Sequence, residues 1–125
     1  MKIELFKGSF KDPDGFVFKS EEKLFRLIKS QSFEKYDLIF KSEIFKKLIL
    51  EEKVINFNLE ENNFYEISDK VKKNDIIVSH PFIEFNSQPF EWPFDQLKDA
   101  AIFHLDLEID LMKYGYCLKD ASAKN

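Results

Sequence analysis

Apolar and polar residues alternate in the first part of the chain, as they do in strands with one buried face. Phe16 and Phe18 alternate within FVFKS, which follows the turn segment KDPDG. After the polar turn KSEEK, the chain returns through the β-rich segment LFRLI, which contains Arg26. The pattern therefore predicts an antiparallel hairpin near the N-terminus.

The spacing of apolar residues becomes helical between Ser32 and Lys53. One stripe recurs every three or four positions: Phe33, Tyr36, Phe40, Ile44 and Leu48. Ser32 is the predicted N-cap of this helix. A second apolar stripe runs beside the first: Leu38, Phe45 and Ile49. Because one straight helix would have to bury both stripes, the pattern predicts a break near Ser42.

Further strands are predicted before a second helical segment. VINFNLE alternates as a short strand, ENNFYEISDKVKKND is polar and loop-rich, and IIVSHPFIEFNS indicates one strand, or two around Pro81. We expect one α+β domain over residues 1–125, with a small antiparallel sheet packed against a mid-chain helix and a long central helix. The order of elements is similar to a protein-kinase N-lobe followed by the first C-lobe helix.

The long helix is predicted near residues 94–114, with Pro93 and Asp95 at its start and Gly115 at its end. Four aspartates share a narrow face that we expect to meet water: Asp95, Asp99, Asp106 and Asp110. The rest of the circumference is apolar: Leu97, Ala101, Leu105 and Met112 on one side, and Ala100, Leu107 and Leu111 on the next. This pattern predicts a helix that is packed on more than one side.

Composition narrows the classes of function. A net charge of −4 and a pI near 5.3, with Lys and Glu interspersed, disfavour nucleic-acid binding. No apolar run approaches the roughly 20 residues of a membrane span, and a single cysteine cannot form an internal disulfide. We therefore expect a cytoplasmic protein that contacts no membrane.

Fifteen phenylalanines are many for a chain of 125 residues. Either some apolar surface meets a protein partner, a second domain or a second copy in a homodimer, or the bias reflects an A- and T-rich genome. The composition alone leaves both explanations open.

Few signatures of catalysis are present. With only three glycines, the chain has no phosphate-binding loop, and it has neither paired cysteines nor an H-E-x-x-H motif. His104 and Glu108 lie four residues apart on the predicted helix and could share a metal. A hydrogen-bonded polar contact is the interpretation we favour for this pair, so no metal site is predicted.

The connector before the long helix carries two candidate ligand-binding residues. Glu91 and Trp92 lie between Pro89 and Pro93, and on this stiff segment they could form one wall of a cleft. The alternative is that Trp92 simply anchors the start of the helix.

The end of the chain carries the remaining candidates. Asp120 and Asn125 have the D-x-x-x-x-N spacing of a kinase-like catalytic loop, in which the Asp acts on the attacking hydroxyl and the Asn holds a metal. Leu118 and Lys119 replace the His-Arg that usually precedes the Asp of this loop. The usual lysine of the ATP-binding lobe is missing, and Arg26 is the only basic residue in the returning hairpin strand. One alternative function is therefore a kinase-like fragment that binds a magnesium nucleotide, with Arg26 and Lys119 in its cleft. The other alternative is a stand-alone protein-interaction domain.

Several segments together show a family resemblance. DPDGFVF, EEKLFRLI, YDLI, PFEWPFDQLKDAA and KYGYCLKDASAKN resemble, in order, the N-terminal region of bacterial proteins described as class I S-adenosylmethionine-dependent methyltransferases, some of them nodulation-related. The match includes residues 89–92, 96–101 and 118–125. Lys124 and the segment HPFIEFNSQ depart from the family pattern.

The resemblance implies a non-catalytic N-terminal module that positions a substrate or partner for a downstream methyltransferase domain. In the full-length family, that domain binds S-adenosylmethionine, so we expect this chain to bind no cofactor by itself. Methyltransferase activity is implied for the whole protein and for no residue here. We expect residues 120–125 to be the first half of a loop that continues in further sequence.

Overall fold

The computed structural model describes residues 3–6, 9, 11–21, 23–66, 68–85 and 87–124. The chain divides into two compact units, Met1–Phe82 and Ile83–Asn125. The first unit holds a sheet and two helices, and the second holds one long helix. The α+β fold class is confirmed, whereas the assignment of residues 1–125 to one domain stays a prediction.

A five-stranded antiparallel sheet with the order β1-β2-β3-β5-β4 forms the first unit. Its strands are β1 Ile3–Leu5, β2 Gly15–Ser20, β3 Lys23–Ile28, β4 Asn58–Glu60 and β5 Ile76–His80. The predicted hairpin corresponds to β2 and β3, in which Phe18 pairs with Phe25. The last predicted strand is one strand that ends before Pro81, where a proline could not donate a ladder hydrogen bond.

An aromatic core covers one face of the sheet. Phe18 stacks on Phe25 at 5.3 Å between ring centroids, and Phe64 meets both rings edge-on at 5.0 Å. Further buried residues complete this cluster: Leu27, Val71 and Ile77. Phe64 reaches the core from a short 3₁₀ turn, Phe64–Glu66, in the segment that the sequence indicated only as loop.

Two short helices, α1 Phe33–Lys41 and α2 Glu43–Leu50, precede β4. The predicted break is confirmed at Ser42, whose extended backbone separates them. Ser42 Oγ accepts from the Phe45 amide at 3.3 Å, which caps α2. Ser32 is the N-cap of α1, as predicted, but its side chain makes no capping hydrogen bond, because its hydroxyl donates to Asp14 Oδ1 at 2.9 Å.

The second unit contains α3, Phe94–Met112. A 3₁₀ turn, Pro89–Glu91, leads into this helix, and Gly115, with φ +79°, terminates it. The amides of Gly115 and Tyr116 donate to the carbonyls of Met112 and Leu111, both at 3.1 Å, which is a Schellman ending. The predicted long helix is therefore confirmed, together with its start and stop signals.

Candidate functional site

The described structure leaves most apolar side chains of α3 exposed. Leu105 is 60% exposed and Met112 is 65% exposed, whereas Leu107 is buried. Within the described residues of the second unit, the buried side of α3 is the one that carries Leu107, so the expectation that α3 is packed on more than one side stays a prediction. The sequence pattern identified the apolar positions correctly, but it could not show which of them lack a covering element.

Five of the large exposed apolar residues of α3 lie on one face of the helix, which Lys98 also shares. At about 100° of rotation per residue, five side chains fall within roughly 80° of one another. We call this set the apolar stripe: Phe94, Ile102, Leu105, Ile109 and Met112. The stripe runs the length of the helix, about 27 Å at 1.5 Å per residue.

An acidic row lies beside the apolar stripe on α3. Asp95, Asp99 and Asp106 are exposed, as predicted, while Asp110 is half-buried. Asp110 Oδ1 accepts from Lys113 Nζ at 2.9 Å. The helix therefore presents an apolar surface with a negatively charged border.

The opposite side of α3 is covered by the chain that follows Gly115. The amide of Leu118 donates to Glu108 Oε2 at 2.8 Å, which ties this returning segment to the helix. A recess of about 510 Å³ lies between them, lined by His104, Leu107 and small residues of the returning segment. Glu108 thus binds the backbone of the returning segment, while the polar contact favoured for the pair of His104 and Glu108 stays a prediction.

Metal binding gains no support from this arrangement. Across the described parts of the chain, no three His, Cys, Asp or Glu side chains come close enough to hold one metal ion. His104 lines the recess without joining such a group.

Both polar groups of the Glu91 and Trp92 connector are used locally. Glu91 Oε2 accepts from the Gln88 amide at 2.9 Å, and Trp92 Nε1 donates to Ser87 Oγ at 2.7 Å. The first bond belongs to a capping box at the turn before α3. These contacts support the role of a helix-start anchor, while a ligand cleft at these residues stays a prediction.

The remaining predicted site residues are placed as follows. Arg26 forms an ion pair with Asp12 within the first unit. Lys119 and Asp120 are exposed in the second unit, and Asp120 has a left-handed backbone with φ +52°. Asn125 lies outside the described residues. The catalytic pair and the nucleotide cleft therefore stay predictions.

His80 lies at the end of β5, where its environment affects its protonation. Its Nδ1 lies 3.3 Å from the Asn56 carbonyl oxygen, so Nδ1 carries the proton in this contact. Burial lowers the pKa of His80; the hydrogen bond to Asn56 opposes this shift and the charge of Arg26 adds to it. The neutral imidazole is thus the form that the fold favours.

Comparison with known proteins gives one curated relative. The chain is 32% identical over 118 residues to the nodulation protein NoeA of Rhizobium meliloti (strain 1021). The alignment covers 94% of this chain and 24% of NoeA, so the chain spans about a quarter of that protein's length. No protein-family model and no solved structure matches. Among the described residues, no helix is both long enough and apolar enough to cross a membrane. By its alignment with NoeA, the chain is similar to a part of a bacterial nodulation protein.

Proposed function

We propose that this chain is a non-catalytic accessory module of a NoeA-like protein, and that the apolar stripe of α3 docks a methyltransferase-like catalytic domain. The observation that carries the proposal is the exposure of five large apolar side chains along a single helix face. Such a surface is costly in water and is typical of sites where proteins meet.

The similarity to NoeA supports the choice of partner. NoeA extends well beyond the quarter of its length that matches this chain, so it contains further sequence that such a surface could contact. The resemblance to methyltransferases indicates the chemistry of that further sequence. In this proposal S-adenosylmethionine is bound by the partner, in the cytoplasm, and no residue of this chain takes part in methyl transfer.

The charges beside the apolar stripe favour a basic partner over a second copy. A second copy of α3 would bring another row of four aspartates to the contact, against Lys98 and Lys113 of the first copy, and like charges at an interface disfavour association. A partner helix with an apolar face and Lys or Arg at its border would complement both parts of the surface. We therefore assign the stripe to a heterotypic contact.

The test is a binding measurement with the part of NoeA that lies outside the matched region. Isothermal titration of this part into the full chain is expected to show saturable binding. Leu105→Glu should weaken the affinity about tenfold or more, because burying one Leu contributes about 1.5 to 3 kcal/mol. Leu50→Glu is the matched control, since Leu50 is 84% exposed on α2 in the first unit.

Three outcomes would contradict the proposal. The first is no binding, and the second is equal weakening by Leu105→Glu and Leu50→Glu. The third is self-association of the chain that Leu105→Glu abolishes, because it would assign the apolar stripe to a homodimer. Sedimentation velocity of the chain alone measures the third outcome.

A further inference from the structure

A second recess, of about 390 Å³, lies in the first unit, near the turn between β2 and β3. Its size falls within the range of sites for small organic ligands. Three carboxylates line it: Glu21, Glu60 and Glu61. Phe25 and Phe64, which are 7% and 5% exposed, also line it, so the recess combines an acidic wall with a mostly buried aromatic one.

A buried hydroxyl without a partner lines the same recess. Ser20 is 3% exposed, and its Oγ makes no hydrogen bond to any described residue. Side chains alternate along β2, so Ser20 lies on the sheet face that carries Phe18. Because buried hydroxyls almost always have a hydrogen-bond partner, this orphan leaves a hydrogen bond that a water or a polar group of a ligand can make.

The charge of the recess defines the ligand. Among the described residues that line the recess, three glutamates accompany one lysine, Lys23, which gives an excess of two negative charges. Glu60 Oε1 accepts from Ser79 Oγ at 2.6 Å, which fixes the orientation of this carboxylate. Carboxylates only accept hydrogen bonds, so the complementary ligand is a donor with two positive charges.

Geometry separates an organic cation from a metal ion. The carboxylates are not among any group of three side chains placed to share one metal, within the part of the chain that the structure describes. The aromatic wall instead suits a hydrocarbon chain, and ring faces also attract ammonium groups. A ligand with two separated ammonium groups and an alkyl linker satisfies both walls.

We propose that this recess binds an aliphatic diamine in its doubly protonated form. The ammonium groups donate to the carboxylates of Glu60 and Glu61 and to Ser20 Oγ, and the alkyl linker packs against Phe25 and Phe64. This site belongs to the first unit alone, so it is independent of docking by the apolar stripe.

The test is isothermal titration of the full chain with 1,5-diaminopentane. We expect saturable binding that the double variant Glu60→Gln/Glu61→Gln weakens at least about tenfold, since each hydrogen bond to a charged group contributes substantially. Glu34→Gln is the matched control, because Glu34 is an exposed glutamate on α1. The neutral analogue 1-pentanol should not bind, because it lacks the charges.

Ser20→Ala provides a readout that a purely structural serine would not give. Removing an orphan hydroxyl should leave the melting temperature of the ligand-free chain unchanged or raise it, while reducing the rise that 1,5-diaminopentane produces. The proposal is overturned if the diamine does not bind saturably. It is also overturned if Glu34→Gln weakens binding as much as the double variant, or if 1-pentanol binds equally well.

Discussion

Replacing Phe64 by Ala tests the claim that the aromatic cluster holds the first unit together. Phe64 is 5% exposed and meets Phe18 and Phe25 edge-on, with both centroid distances at 5.0 Å. It belongs to no strand and enters the core from a 3₁₀ turn. The substitution therefore removes one ring from the cluster without deleting any ladder hydrogen bond of the sheet.

The expected loss is a large share of the total stability. Truncation of a buried Phe to Ala costs about 3 to 5 kcal/mol, through lost transfer free energy and the cavity left behind. Part of this cost comes from the two ring contacts, at about 0.5 to 1.5 kcal/mol each. Domains of this kind have unfolding free energies of about 5 to 15 kcal/mol, so Phe64→Ala should remove about a fifth or more.

Urea denaturation followed by circular dichroism measures this change. The matched control is Phe90→Ala, the same chemical change at a ring that is 82% exposed, and it should shift the unfolding free energy by less than about 0.5 kcal/mol. Similar losses for both variants would refute the reasoning, because they would show that the exposed and buried rings are not distinct. A loss below about 1 kcal/mol for Phe64→Ala would refute it as well.

Two further predictions concern the sheet. In the folded chain the pKa of His80 lies below its ordinary value of 6.5, so the unfolded chain takes up the proton first and the free energy of unfolding falls as pH drops below about 6.5. His80→Gln should reduce this loss of stability at low pH. Identical urea midpoints for the two proteins at each pH would contradict the prediction. Gly15→Ala should destabilise the chain by about 1 to 3 kcal/mol or more, because the new Cβ would overlap the Leu27 carbonyl across the β2 and β3 pair. An unchanged melting temperature for Gly15→Ala would contradict that close approach.

Local signals made much of the fold predictable. The alternation of Phe16 and Phe18 identified β2, because one face of that strand is buried. The break at Ser42 followed from two apolar stripes that one straight helix could not bury. Gly115 marked the end of α3, since a left-handed residue there costs little for glycine. Each of these features depends on neighbouring residues, which the sequence displays directly.

Features that depend on distant residues were not predictable. Phe64 lies in a polar segment, and only its contacts with Phe18 and Phe25 reveal it as a core residue. The Ser32 hydroxyl donates to Asp14, eighteen positions away, so the local pattern could not show that Ser32 makes no capping hydrogen bond. The apolar positions of α3 were visible in sequence, but which of them stay exposed depends on the rest of the fold.

The diamine recess was missed for the same reason. Ser20 is distant in sequence from Glu60 and Phe64, and it meets them only through strand pairing and the 3₁₀ turn. No short motif carries such a site. The closest sequence signal is the acidic turn after Ser20, which resembles any solvated turn.

Site-specific photo-crosslinking tests the central claim, docking by the apolar stripe, most directly. A photoreactive phenylalanine replaces Ile109, which is 52% exposed, and the protein is irradiated in the presence of the part of NoeA outside the matched region. The control carries the same photoreactive residue at Leu50. The account predicts crosslinks to that part of NoeA from position 109 and not from position 50. Equal crosslinking from both positions, or crosslinks from position 109 only to other copies of this chain, would contradict it.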